Sequence, residues 1–337
     1  MSDRVLVTGV SGFLGGHLAL QLLNAGYSVR GSVRQLSKGE AVRQALARAG
    51  ADISRLELVA LDLTRDAGWA EAMAGVRFVQ HAASPFVLRT PRDPQELIAP
   101  AVQGTRRAVS AALASAVERI VLTSSIAAIQ YGHADYARAL TEADWSNLQS
   151  PATGAYPASK TLAEQAAWAL VDAAGRHDDL AVINPAAILG PLLDDDPGTS
   201  SMLVRRLLDG RLPAVPRISF SVVDVRDVAA LQIDAMTNPA AGGQRCIASA
   251  GSVSMSELGA LLRPDFPDRR IPTRELPDWL LRLVALVDRD VRDNLGELGR
   301  IKRVDGSRGP QRLGRPLIPV GDAAIATGKS LEAFGLV

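Results

Sequence analysis

Over residues 1–184 short apolar runs alternate with longer stretches in which apolar residues recur at helical spacing. Val5–Thr8, Ser28–Val33, Leu56–Leu61, Val76–Gln80, Arg119–Thr123 and Leu180–Asn184 read as strands. Gly12–Ala25, Lys38–Ala49, Ala67–Ala74, Pro94–Ala116 and Gly154–Ala174 read as the helices between them, with Gly26, Gly50 and Gly75 as stops. Most of the strands are apolar at consecutive positions, the pattern of strands covered on both faces. Strand–helix alternation of this kind predicts right-handed crossovers and one parallel sheet with helices on both sides. That is the doubly wound α/β fold, whose ligand crevice lies outside the carboxyl ends of the strands.

The rhythm breaks at Pro185. Pro185, Pro191, Pro197, Pro213 and Pro216 punctuate a stretch filled with Gly, Asp and Arg, which suits the loops and short helices of a substrate lobe. Strand and helix patterns return over Val222–Met236 and Gln244–Ser249, and a helix is expected at Pro277–Val287. The expected division is therefore 1–184 plus about 219–250 for the sheet domain. A smaller C-terminal α/β lobe would hold 185–218 and 251–337. No internal repeat or low-complexity tract is present.

Composition narrows the class. The 337 residues are 47% hydrophobic and 22% charged, which excludes a disordered chain, a collagen and a coiled-coil rod. Lys+Arg 37 against Asp+Glu 36 leaves a net charge of +1, so no basic field calls for nucleic acid or an acidic membrane. A single cysteine, Cys246, excludes an internal disulfide and a four-thiolate metal site, and fits a reducing compartment. The start reaches Thr8-Gly9 after too few apolar residues for a secretion signal, and no run approaches the roughly 18 apolar residues of a membrane span. A soluble, cytoplasmic protein is expected.

Two motifs carry chemistry. Thr8-Gly9-Val10-Ser11-Gly12-Phe13-Leu14-Gly15 follows a strand and opens a helix. Gly9 permits the tight turn, Gly12 a close backbone approach to a pyrophosphate, and Gly15 the packing of helix on strand. The helix amino terminus adds unpaired N–H groups and a partial positive charge. The second motif is Tyr156-Pro157-Ala158-Ser159-Lys160, which puts a phenol and an ammonium one helical turn apart on one face. A neighbouring ammonium favours the phenolate and so helps a phenol exchange protons. Upstream, the strand Arg119–Thr123 runs into Ser124 and Ser125 at the crevice edge, where a serine can hold a substrate oxygen beside the tyrosine.

These motifs together resemble the extended short-chain dehydrogenase/reductases. Further segments match the dihydroflavonol reductase, cinnamoyl-CoA reductase and aldehyde/ketone reductase branch: His81–Phe86, Asp93–Thr105, Asn184–Pro191 and Val223–Val228. The likeness spans about residues 3–250 and persists weakly to Lys329–Val337. It implies a Rossmann domain, Tyr156 as proton donor, and Lys160 as its support and a ligand of the nicotinamide ribose. Ser125 would polarise the carbonyl, with Ser124 near the nicotinamide. Asp62 and Leu63 match the adenine-contacting pair; Ala82, Ala83 and Ser84 pass the ribose and phosphates; Thr123, Pro185, Ala187 and Ile188 lie beside the nicotinamide.

At the end of the second strand, where NAD-selective enzymes place an aspartate, stands Val33, followed by Arg34 and, four further on, Lys38. In the resembling branch such a pair clamps a 2′-phosphate, so NADP(H) is the expected cofactor. Phe86, Val87, Gln130 and Tyr131 are expected to border the substrate pocket and favour a hydrophobic, aromatic carbonyl compound. Gln130 falls where plant members carry an asparagine that contacts a flavonoid, a departure that argues against a flavonoid. Arg205, Arg211 and Arg217 leave a nucleotide sugar open. The resemblance also implies a homodimer through the helices bearing 94–116 and 154–174.

Three functions compete at this point: an NADP(H)-dependent carbonyl reductase or alcohol dehydrogenase, a sugar-nucleotide epimerase, and a non-catalytic dinucleotide sensor. The sensor reading expects Tyr156 or Lys160 to be missing. A dehydratase needs an acid pair after the strand-end hydroxyls, and Ile126-Ala127-Ala128 stands there. His17, His81, His133 and His177 show no metal spacing, Asp194-Asp195-Asp196 reads as a solvated loop, and Trp168 and Trp279 read as core or interface residues.

Overall fold

The computed structural model describes residues 3–84, 93–286, 292 and 295–337. Seven strands form one sheet in the order β3-β2-β1-β4-β5-β6-β9, and every pairing in it is parallel. The strands are β1 (Arg4–Thr8), β2 (Ser28–Val33), β3 (Leu56–Ala60), β4 (Phe78–His81), β5 (Arg119–Thr123), β6 (Leu180–Pro185) and β9 (Arg245–Ala248). Six of these strand positions were legible from the apolar runs. On one face lie α1 (Phe13–Asn24), α2 (Gly39–Arg48) and α7 (Val225–Thr237), burying Leu18, Leu22, Leu46 and Leu231. On the other lie α3 (Trp69–Met73), α4 (Gln95–Leu113) and α5 (Ala155–Ala173), burying Trp69, Val109, Ala112, Ala167 and Val171. Strand order reverses at β1, so the crevice opens between the carboxyl ends of β1 and β4.

A second sheet of three strands, β10-β8-β7, stands beyond β6: β7 (Ala187–Leu189), β8 (Ser219–Asp224) and β10 (Gly251–Ser254). α6 (Gly198–Leu208), α8 (Met255–Leu262) and the terminal helix Val320–Ala333 pack on it through Leu207, Leu258 and Leu331, joined by Phe266 from the turn after α8. Ser219–Asp224, the first part of the expected return to the large sheet, pairs with β7 and β10 instead. The chain re-enters the large domain through α7 and β9. Short strands such as Ala187–Leu189 and Gly251–Ser254 carry too few residues to show a period, which is why the sequence pattern passes over them. The helix expected at Pro277–Val287 is observed over Asp278–Val284 as α9.

The segment Val223–Val228 has a structural task. Asp224 is fully buried; it caps α7 by accepting the Arg226 N–H at 2.8 Å and pairs with the Arg226 guanidinium at 2.8 Å. Asp227, also buried, accepts the Ile318 N–H at 2.6 Å and meets Arg315 at 2.8 Å. Asp224 thus fixes the start of α7, and Asp227 ties that helix to the C-terminal segment.

Candidate active site

β1 ends at Thr8 and the chain turns through Gly9, whose φ of +72° is costly for any side chain. A Cβ on Gly9 would stand 3.0 Å from Ala83, and one on Gly15 only 2.1 Å from the Gly9 carbonyl oxygen. The glycines therefore close the turn onto α1 and onto the end of β4. Gly12 supplies no capping side chain, and α1 has no acid in its first turn. The amides there remain for an anion from outside. Two residues that sequence reasoning missed complete the turn. Ser32 accepts the Gly9 N–H at 3.1 Å, and a Cβ on Gly31 would meet Val10 at 2.8 Å.

Thr8 locks the turn to β4. Its hydroxyl accepts the Ala83 N–H at 3.0 Å and lies 2.9 Å from His81 Nδ1. Burial pushes His81 down to about 4, and the Lys160 ammonium acts in the same direction. The ring is thus neutral near pH 7 and shares one hydrogen bond with the Thr8 hydroxyl. Arg34 and Lys38 follow β2 as exposed residues, and neither has a side-chain hydrogen bond or ion pair among the described residues. Asp62 accepts the N–H and hydroxyl of Thr64, each at 2.8 Å, which holds its carboxyl below the usual range. The Leu63 carbonyl is held by Arg107 at 3.1 Å.

At the carboxyl edge of β5 and β6 lies a cavity of about 620 Å³. It gathers Phe13, Leu14, Ala82, Thr123, Ser124, Ser125, Tyr156, Lys160, Pro185, Ala187 and Ile188, all selected from the sequence. Gln130 and Tyr131 line it as expected; Phe86 and Val87 lie outside the described residues. The far wall comes from the second lobe: Thr199 and Ser200 from the stretch after Pro185 expected on the substrate side, and Phe220 and Ser221, which the sequence did not single out. Tyr156 is 45% exposed and faces this space. Lys160, one turn on, sits with Nζ 5.9 Å from the phenol ring centroid and donates to Ser84 Oγ at 3.1 Å. Ser125 Oγ accepts the Ala127 N–H at 3.1 Å, which leaves its own proton for the cavity. Ser124 differs: its hydroxyl is committed to Glu164 at 2.5 Å.

Tyr131 is braced from behind by Lys302, whose Nζ stands 3.7 Å from the ring centroid and pairs with Glu297 at 2.6 Å. The segment around Leu295–Val304, for which the sequence offered no role, therefore supports a residue of the pocket wall. A larger open groove of about 760 Å³ crosses the second lobe between Arg211 and Phe266, but none of the sequence-selected catalytic or cofactor residues lines it.

The histidines have structural partners: His17 with the Pro191 carbonyl, His133 with the Ile129 carbonyl and His177 with Asp172. No group of acids, histidines and cysteines able to hold a metal occurs among the described residues. Trp168 donates to Glu164, whereas Trp279, expected in a core or interface, is 64% exposed. No helix among the described residues is long and apolar enough to cross a membrane.

Residues 5–251 match the family model described as the NAD dependent epimerase/dehydratase family. A cinnamoyl-CoA reductase of Medicago truncatula is 34% identical over 302 residues, covering 88% of this chain and 91% of that protein. A tetraketide alpha-pyrone reductase of Arabidopsis thaliana is also 34% identical, covering 79% and 84%. Among solved structures, the yeast methylglyoxal/isovaleraldehyde reductase complexed with NADPH superposes with a TM-score of 0.82 at 25% identity, covering 99% of this chain and all of that one.

Proposed function

The chain belongs to the NAD dependent epimerase/dehydratase family, and on that premise we propose that it is an NADPH-dependent oxidoreductase. It reduces a hydrophobic aldehyde or ketone to the alcohol, or runs the reverse. The observation that carries this reading is the cavity that brings Ser125, Tyr156 and Lys160 together under mostly apolar walls. The residues fit a dinucleotide. The Gly9–Gly15 turn leads into a helix with no capping side chain and no acid in its first turn, and Arg34 and Lys38 are exposed cations with no side-chain hydrogen bond or ion pair among the described residues. Thr8, Ser11 and the amides of Phe13–Gly15 would hold the phosphates, Arg34 and Lys38 the 2′-phosphate, and Asp62 with Leu63 the adenine side. Ala82–Ser84, Thr123, Ser124, Lys160, Pro185, Ala187 and Ile188 would line the nicotinamide half.

The bound nicotinamide supplies or accepts the hydride. Ser125 donates its free proton to the carbonyl oxygen and fixes the substrate's orientation. Tyr156 gives its phenolic proton to that oxygen, and the Lys160 ammonium stabilises the charge left on the phenol. Ile126 and Ala127 lie in the cavity wall where elimination chemistry would need acids, so the proton transfer falls to the Tyr156 phenol. Gln130, Tyr131 and Phe220, with Phe86 from the resemblance, form the substrate side and favour an aromatic compound over a nucleotide sugar. Residues 185–218 and 251–337 serve as the substrate lobe. Cytoplasmic location and pairing of two copies across α4 and α5 rest on composition and resemblance; sedimentation of the purified protein tests the pairing.

The test is NADPH oxidation across aryl and alkyl aldehydes, ketones and nucleotide sugars. Turnover of aryl carbonyls is expected. Saturable binding of a nucleotide sugar with no carbonyl reduction would replace the reading with an epimerase.

A further inference from the structure

Directly behind these residues lies a fully buried carboxylate that no step above uses. Glu164 follows Tyr156 by two turns of α5 and Lys160 by one, on the same helix face. Its Oε2 accepts Ser124 Oγ at 2.5 Å and Asn184 Nδ2 at 2.8 Å. Its Oε1 accepts Arg245 Nε at 2.6 Å and Trp168 Nε1 at 3.4 Å. The same Asn184 amide also donates to the Ser125 carbonyl at 3.1 Å. One carboxylate therefore grips the end of β5 both directly and through β6.

Arg245 is equally constrained. It is 8% exposed, donates to the carbonyls of Glu142 at 2.6 Å and Asp144 at 2.7 Å, and lies 3.9 Å above the Trp145 ring. Next in sequence, Ser146 accepts the Tyr131 N–H and donates to the Ala127 carbonyl, each at 2.8 Å. The network thus reaches from the helix bearing Tyr156, through the Ser124–Ser125 strand end, to the wall of the substrate cavity.

Stability is a poor reason to keep such a pair, because well-packed apolar residues in its place are often as stable or more so. Geometry is a better one, because displacements of about 1 Å in a catalytic constellation can cost about 10²-fold in rate. We propose that Glu164, held by Arg245, is a positioning residue that sets Ser125 and the Tyr131 wall against Tyr156 and Lys160. This rests on the reductase reading above.

The test compares E164Q and the double variant E164L/R245M with the unaltered enzyme, measuring kcat per folded molecule, KM, the NADPH dissociation constant and Tm. In E164Q an amide N–H replaces one acceptor and faces donors, so kcat should fall about 10–100-fold. NADPH binding should change less than about threefold. The double variant removes the buried charges, so Tm should recover while kcat stays low. A folded E164Q with unaltered kcat, or a double variant that regains kcat together with Tm, would overturn the proposal and leave the reductase reading intact. An unaltered protein that oxidises no NADPH with any carbonyl would overturn both.

Discussion

Two arginine sites in this molecule are built in opposite ways. Arg245 is buried and gives Nε, Nη1 and Nη2 to protein acceptors, Glu164 foremost. Arg34, at the end of β2, is exposed and, like Lys38 nearby, has no side-chain hydrogen bond or ion pair among the described residues. A buried guanidinium must be fully paired or it costs several kcal/mol. An exposed one stays hydrated at little cost and keeps its donors for a ligand. The first arrangement sets backbone geometry; the second leaves binding capacity in reserve. Tyr156 belongs with the second group, being 45% exposed on the cavity, and Glu164 with the first.

The largest effect should follow from removing the proton donor assigned to the chemical step. Tyr156→Phe keeps the ring and removes the hydroxyl, so turnover of an aryl aldehyde should fall by about 10²–10⁴-fold. NADPH affinity should hold, because the Gly9–Gly15 turn, Arg34 and Lys38 are untouched. Steady-state kinetics beside a cofactor titration separates the two quantities. Unchanged turnover would remove Tyr156 from the chemistry and break the contrast between open and committed groups at its most important point.

The next effect sharpens the comparison at the other arginine. Each charged hydrogen bond contributes about 1.5–3 kcal/mol, so two correspond to a preference for NADPH of about 10²-fold or more. Arg34→Ala with Lys38→Ala should abolish most of that preference, leave NADH use nearly constant and change Tm little, since no side-chain hydrogen bond or ion pair among the described residues is lost. The ratio of kcat/KM for the two cofactors is the measurement. Equal use of NADH and NADPH by the unaltered protein would show that these cations do not serve as the clamp.

The same contrast explains what the sequence disclosed. Strands β1, β5 and β6 are runs of Val, Leu and Ile, and the glycine turn and Tyr156-x-x-x-Lys160 are local spacings that fold in place. The cavity floor was therefore legible. Glu164 gave one faint signal, an acid four residues past Lys160 on a helix face otherwise rich in alanine. Arg245 gave none, because its partners Glu142, Asp144 and Glu164 stand far away in the chain. The second-lobe wall was hidden for a related reason. Phe220 and Ser221 reach the site through pairing of β7 with β8 and Thr199 through α6, while Lys302 acts only by docking on Tyr131.

His81 is a third kind of polar group, buried like Arg245 but neutral, and it supplies the smallest of these effects. It is 2% exposed, its Nδ1 shares a hydrogen bond with the Thr8 hydroxyl, and its pKa falls from 6.5 to about 4, chiefly through burial. Between those values the unfolded chain binds a proton that the folded chain refuses, so stability rises with pH through this window and is lost as pH falls. The gap between 6.5 and about 4 corresponds to a loss of about 3 kcal/mol on going from pH 7 to pH 4. His17, lowered by burial, adds a contribution of the same sign, while His177, raised beside Asp172, opposes it. The depressed carboxylates Asp52 and Asp62 protonate below this window. His81→Gln retains a polar side chain without the titration. Denaturant unfolding at pH 7 and pH 4 should therefore show a smaller acid loss in the variant than in the unaltered protein. Whatever the variant does to absolute stability, an identical loss in the two proteins would show that His81 is not the buried neutral group that joins the glycine turn to β4.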